Sequence, residues 1–260
     1  MEAPHVKGPA IFTPEYYARM RELELSGWWN AAMRNVAADL LNHAGVGAKG
    51  KLLDVGCGSG QTMMWFRQLN PGWESVGIDI AADGFLAARQ LGENVLAASA
   101  LDLPFADGSF DLIVTLDVLQ HLPLDGGDLT ALSEMRRVLR PGGYLLVRTN
   151  AQAFPTTPDD LAHDFHKYET GELRRKLQGV GFDVLRLSRI NALLGLAEVP
   201  RELKAHRAGG REYHGILASS AGPSRLLDGL KRRWLELEGR AVARGWTLPI
   251  GRTLIGICRR

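Results

Sequence analysis

Three glycines at alternate positions, Gly56, Gly58 and Gly60, follow the apolar run Leu52-Leu53-Asp54-Val55. Glycine accepts a tight turn, and without a Cβ it lets the backbone lie against a ligand. The residues from Gln61 to Leu69 can then begin a helix whose unpaired N–H groups point back at that ligand. The spacing is chemically selective. A dinucleotide loop requires glycine at the sixth position, where this chain has Gln61, and a phosphate loop requires Lys then Ser or Thr after its last glycine. One strand-helix-strand interval later, Asp79 ends the run Ser75-Val76-Gly77-Ile78-Asp79-Ile80. A carboxylate there can accept hydrogen bonds from both hydroxyls of a ribose.

A buried parallel sheet is what would hold such a turn and carboxylate side by side. Strands are expected at 51–55, 74–79, 94–98, 110–116, 143–149, 182–189 and 252–258, with helices at 61–69, 82–91, 126–139 and 169–179. In the third helix Leu129, Leu132, Met135 and Leu139 recur at helical spacing, and Thr170 offers an N-cap for the fourth.

With Asp54 before the turn and Asp79 at the next strand end, the chain resembles the class I S-adenosylmethionine-dependent methyltransferases, of the type 11-like small-molecule kind. Later segments match in order. Ala98-Ser99-Ala100-Leu101-Asp102-Leu103-Pro104-Phe105 looks like the adenine-contacting segment, Asp107-Gly108-Ser109-Phe110-Asp111-Leu112-Ile113-Val114 like the fourth strand, and Arg137-Val138-Leu139-Arg140-Pro141-Gly142-Gly143 like the turn into the fifth. The resemblance implies an α/β, Rossmann-like, doubly wound seven-stranded sheet with its last strand antiparallel. It implies S-adenosyl-L-methionine as cofactor and S-adenosyl-L-homocysteine as product. The cofactor contacts it implies are Asp54, Gly56, Cys57, Gly58, Gln61, Asp79, Ile80, Ser99, Ala100, Leu101 and Leu116. Ser99 stands where many relatives have Asp, so its hydroxyl would accept from the adenine amino group more weakly.

Outside this core, residues 1–48 read as an N-terminal helical lid, with Tyr16 or Tyr17 reaching the methionine end of the cofactor and Trp28-Trp29 docking a helix. The core proper is 49–189, a helical cap insertion fills 190–250, and 251–260 returns as the final strand, in one structural domain overall. Leu227, Leu230, Trp234, Leu237 and Ala241 mark one helical face in the cap, with Lys231, Arg232, Arg233 and Arg240 elsewhere around it.

The chain of 260 residues carries a net charge of only +2, but unevenly. Residues 201–260 hold 13 Lys/Arg against 5 Asp/Glu, and residues 1–200 hold 18 against 24. A basic segment on an acidic body is either a solvated helix face or an attraction for an anionic substrate, a membrane surface or RNA. No apolar run approaches the ~20 residues of a membrane span and no signal-peptide core is present, so a cytoplasmic location is expected. Cys57 and Cys258 form no disulfide framework or metal-ligand set and are assigned to packing; no metal is expected.

Methyl transfer from a sulfonium is an in-line displacement that depends chiefly on positioning, with a general base needed only for an acceptor that enters protonated. His121, just after the fourth strand, is the candidate base, and Asp117 is placed either to hold loop or cofactor or to touch the acceptor. Arg148, Asn150, His166 and Tyr168, with His163, are candidate acceptor contacts; a pocket-facing Arg148 would favour an anion. Taken together, the residues point to methylation of a small molecule at oxygen, hydroxyl or carboxylate, with nucleic acid disfavoured. The alternatives are methylation of RNA or a peptide through the basic segment, and a non-catalytic cofactor-binding subunit. Monomer and homodimer are both open, as is peripheral contact with a membrane.

Overall fold

A computed structural model describes Glu22 and residues 27–152, 166–192 and 225–260. Tyr16, Tyr17 and His163 lie outside the described residues, as do most of the lid and residues 193–224 of the cap.

The interior strand β1 (Lys49–Val55) is buried over its last four residues, because it has neighbours on both edges and helices on both faces. It pairs in parallel with β2 (Gly72–Asp79) and β4 (Phe110–Leu116), and β2 in turn with β3 (Val95–Ala97). Beyond β4 come β5 (Leu139–Asn150), parallel, then β7 (Thr253–Arg259), antiparallel to both β5 and β6 (Asp183–Ile190). The order is β3-β2-β1-β4-β5-β7-β6. This is the expected doubly wound seven-stranded sheet with its last strand antiparallel.

Alternation along the strands sorts side chains into two layers. Leu53, Ile113, Leu145 and Val147 face α4 (Gly127–Val138) and α5 (Thr170–Gly179), whereas Leu52, Leu112, Val114, Leu146, Ile255 and Ile257 face α1 (Trp28–His43) and α6 (Arg225–Ala243). The remaining helices, α2 (Gln61–Leu69) and α3 (Ala82–Gln90), flank β2 and enclose a small cluster of Cys57, Met63, Ala88 and Val95. Cys57 and Cys258 are both buried and free. Burial pushes the Cys258 thiol up to about 12 and the Cys57 thiol higher still, with Asp54 and Asp79 adding to the latter, so both stay protonated.

Local features depart from expectation for tertiary reasons. The helix α5 starts at Thr170, with Glu169 at the N-cap and no side-chain capping bond, so Thr170 is not its cap. Leu129 is exposed; the buried face of α4 comprises Asp128, Ala131, Leu132, Met135 and Val138. The buried Asp128 is tolerated because Lys176 Nζ of α5 lies 2.5 Å from it and the Tyr168 hydroxyl donates to it at 3.0 Å. β5 begins four residues before the expected position, with a register irregularity opposite Phe110 and Leu112.

The helices α1 and α6 run side by side, and their closest approach is at a glycine. A Cβ on Gly239 would lie 2.4 Å from Val36 Cγ2 and 3.0 Å from Val36 Cβ. Val36 is stiff at χ1 and cannot turn away. Gly239→Ala gains about 1 kcal/mol in helix propensity but overpacks the contact by about 1–3 kcal/mol, so a net loss of stability is expected. Chemical denaturation should show that loss, and Val36→Ala in the same chain should restore it.

Candidate active site at the carboxyl edge of the sheet

The glycine turn leaves β1 at Val55 and is tied at once to β2. The amides of Gly56 and Cys57 both donate to Ile78 O, at 2.8 and 2.9 Å. Gly56, Gly58 and Gly60 all have positive φ, at 76°, 50° and 79°. Two of the three are also demanded by packing: a Cβ on Gly56 would meet Val118 Cγ2 at 2.2 Å, and one on Gly60 would meet Ala88 at 2.9 Å. Gly58 instead presents its amide to Asp79 Oδ2 at 2.8 Å. The first backbone bond into α2 runs from Met64 to Gly60 O, which leaves the amides of the preceding turn directed toward the loop.

Asp79 accepts from Gly58 N with one oxygen and from Ala81 N with the other, both at 2.8 Å. Burial holds its carboxyl above the usual range, and the amides of Ala81, Gly58 and Ile80 only partly counter that. Each oxygen retains a lone pair, so two further donors on adjacent carbons can be accepted. Beside it, Ile80 is 78% exposed, an apolar surface next to a polar acceptor. Asp54 is buried beneath the turn. A nucleoside with a free diol and a flat base fits this pairing of carboxylate and apolar side chain.

The segment after β3 closes the other side. Ser99 Oγ accepts from Leu101 N at 3.1 Å and shapes a short turn that carries Ala100 and Leu101, both half-buried. Arg137 of α4 holds this segment from below, donating to Phe105 O, Leu103 O, Asp107 and Glu134. Glu134 in turn accepts from Leu103 N, and its carboxyl is held below the usual range by the hydrogen bond from Arg137. The sequence marks Arg137 only as part of a turn and carries no trace of this clamp.

At the end of β4, Leu116 is half-buried and Asp117 adopts φ 60°, a left-handed conformation rare for a residue with a Cβ. Its carboxylate receives Arg148 Nε at 3.0 Å and Nη2 at 2.5 Å, and its amide donates to Arg148 O at 2.9 Å. The guanidinium also lies 4.9 Å from the centroid of Trp29, at the start of α1. Arg148 is therefore matched within the protein by Asp117 and Trp29. His121 ends the 3₁₀ turn Leu119–His121; burial lowers its pKa, and the charge of Asp117 opposes that only in part.

The remaining candidates separate. Arg148 and Asn150 share a face opposite the buried Thr149, as alternation requires. Gln120, overlooked in the sequence, accepts from Thr149 Oγ1 and Asn150 N, both at 3.1 Å, and receives His166 N on its backbone oxygen. His166 stacks on Tyr168 at 4.1 Å and meets Glu172 at 3.0 Å through Nε2. Tyr168 does not line a pocket: it is fully buried, with its hydroxyl donated toward Leu119 O and Asp128. The reason is register, since residue 168 bridges Ala151 alongside the sheet and its ring turns inward. Among the described residues no group of three or more His, Cys, Asp or Glu side chains is arranged to hold a metal ion.

Residues 53–147 match the family model described as a methyltransferase domain. The chain is 33% identical over 96 residues to an Arabidopsis thaliana tRNA (carboxymethyluridine(34)-5-O)-methyltransferase, covering 37% of this chain and 23% of that protein. It is 34% identical over 173 residues to O-methyltransferase resE of Aspergillus sclerotiorum, covering 60% and 62%. The chain spans about a fifth of the length of the first curated relatives it matches, 20–23%. A solved Haemonchus contortus phosphoethanolamine N-methyltransferase 2, in complex with S-adenosyl-L-methionine, superposes with a TM-score of 0.65 at 15% identity, over 96% of this chain and 58% of that one. At that identity the likeness is one of fold.

Two outcomes follow from the site. Affinity for S-adenosylhomocysteine, measured by calorimetry, should fall on acidification toward the raised pKa of Asp79, because protonation removes the acceptor. Asp79→Asn should bind weakly with no such pH step, and Asp79→Ala should lose about a hundredfold or more, the worth of two hydrogen bonds to a charged group. Arg137→Ala should lower stability by about 2 kcal/mol and weaken cofactor binding through the loosened Ser99–Asp107 segment, read by thermal denaturation with and without S-adenosylhomocysteine.

Proposed function

We propose, from the premise that this chain carries the methyltransferase domain of the class I S-adenosylmethionine-dependent enzymes, that it methylates a small-molecule acceptor at oxygen. The cofactor, when bound, supplies a methyl carbon on a sulfonium, open to in-line attack. Asp79 would hold the ribose diol, Ile80 and Leu101 the base, and the Gly56–Gly60 turn and the start of α2 the remainder.

The observation that carries the acceptor reading is His121. An alcohol or phenol must lose a proton as it attacks, and a base serves only if it is unprotonated at working pH. Burial lowers the His121 pKa from its ordinary value and so favours the neutral imidazole, the form that can accept a proton. The Asp117–Arg148 pair fixes the strand end from which the 3₁₀ turn departs. We assign Arg148 this positioning role ahead of contact with an anionic acceptor, and leave Asn150 and His166 as acceptor contacts. The match to a fungal O-methyltransferase over three-fifths of both chains supports oxygen.

A second reading, methylation of RNA, draws on the tRNA methyltransferase relative and on the basic residues beyond 201. Turnover separates the two, and separates both from a cofactor-binding subunit without catalysis. Conversion of S-adenosylmethionine to S-adenosylhomocysteine is expected with phenols or hydroxy acids and not with RNA. The rate should rise with pH through an apparent pKa below 6.5, the ordinary value for histidine, because the protonated imidazole cannot accept. His121→Ala should lower kcat about 10²–10⁴-fold with cofactor affinity unchanged. An unaltered kcat would point to a carboxylate acceptor, which requires no base.

A further inference from the structure

The apolar stripe of α6 faces outward, contrary to its expected part in a closed cap. The helix packs on α1 and the sheet through Leu235, Gly239, Val242 and Ala243. Leu226 is 82% exposed and Leu230 63%, and Leu227, Trp234 and Leu237 are exposed with them. At 100° per residue Leu226, Leu230, Trp234 and Leu237 form one continuous line. Trp246 and Ile250, which follow the helix, are exposed as well.

The charges on the helix are sorted by the same division. Its three acids are turned inward and matched. Asp228 faces Lys231 at 3.5 Å, Glu236 takes Arg232 at 2.8 Å and Asn35 at 2.7 Å, and Glu238 receives Asn191 N, Ala192 N and Trp234 Nε1. Among the described side chains of α6 every exposed ionised one is an arginine: Arg232, Arg233 and Arg240, continued by Arg244 just beyond.

We infer that this face docks on an anionic lipid surface. A line of leucines and indoles flanked by arginines, with no exposed carboxylate, can bury its apolar side chains at the headgroup boundary while the guanidinium groups meet lipid phosphates. The exposed rings of Trp234 and Trp246 suit that boundary, where aromatic side chains lodge at headgroup level. Other occupants satisfy only half of the pattern. RNA would pair the arginines and leave the leucines without apolar cover. A second copy would cover the leucines but bring like charges together with no exposed acid on the helix to pair them. The surface does not depend on the methyl-transfer reading.

Sedimentation of the full chain with lipid vesicles tests this. The chain should bind phosphatidylcholine vesicles containing phosphatidylglycerol, leave phosphatidylcholine alone in solution, and be released by added salt. Combined Arg233→Gln, Arg240→Gln and Arg244→Gln should weaken binding about a hundredfold, at about fivefold for each charge. Leu226→Ser with Leu230→Ser should weaken it by more than about tenfold. These side chains are exposed, so circular dichroism and S-adenosylhomocysteine binding should be unchanged. The inference is overturned if neither vesicle binds the parent chain, if the variants bind as the parent does, or if the leucine variant only dissociates a dimer. Retention of RNA without vesicle binding would equally overturn it. Loss of cofactor binding with vesicle binding intact would count against the methyltransferase reading alone.

Discussion

A buried carboxylate must be given donors, and at Asp79 that requirement fixes the geometry of the whole sheet edge. Its two oxygens join the Gly58 amide of the turn after β1 to the Ala81 amide at the end of β2. The turn cannot shift without taking one of its two amide donors from a buried carboxylate, a loss of about 1–3 kcal/mol. Gly56 and Gly60 are pressed against Val118 and Ala88 in the same arrangement, so β4 and α3 are brought into register with it. The carboxylate proposed to hold a ribose is thus also the brace of the loop that would carry the rest of the nucleoside.

An ion pair performs a comparable task on the other side. Asp117 occupies a backbone conformation that costs of order 1–3 kcal/mol for a residue bearing a side chain. The forked bond from Arg148 and the stacked Trp29 hold it there, and the 3₁₀ turn carrying His121 follows directly. A sheet edge braced at both Asp79 and Asp117 resists relaxation between them, where cofactor and acceptor would meet.

What could be read from the sequence was what depends on near neighbours. The glycine turn, Asp79, the alternating strands and the antiparallel last strand are local patterns or follow from a motif order, and the fold agrees with them. Partners distant in sequence left no such trace. Asp128 has no place in the apolar periodicity of its helix, and only Tyr168 and Lys176, 40 and 48 residues on, explain its burial. Tyr168 reads as an acceptor contact because it precedes the helix after the fifth strand, yet its bridge to Ala151 turns it inward. Gln120 and Arg137 act in part through backbone amides and carbonyls, which carry no sequence signature. In α6 the periodicity was legible but its direction was not. Two apolar faces compete there, and the face with the smaller side chains, around Gly239, packs more closely on α1.

The sheet order carries a consequence for how the chain is made. β6 is complete at Ile190, but its sheet neighbour is β7, which begins at Thr253 and lies between β6 and β5. During synthesis β5 and β6 therefore wait, with unpaired edges toward each other, until more than sixty further residues have emerged. An open edge of this kind is a template for wrong pairing, either with another nascent chain or between β5 and β6 directly. A parallel strand pair closed too early would exclude β7 and leave its apolar residues without a home. The fold thus has an order of assembly built in, with the last strand acting as the wedge that commits the sheet.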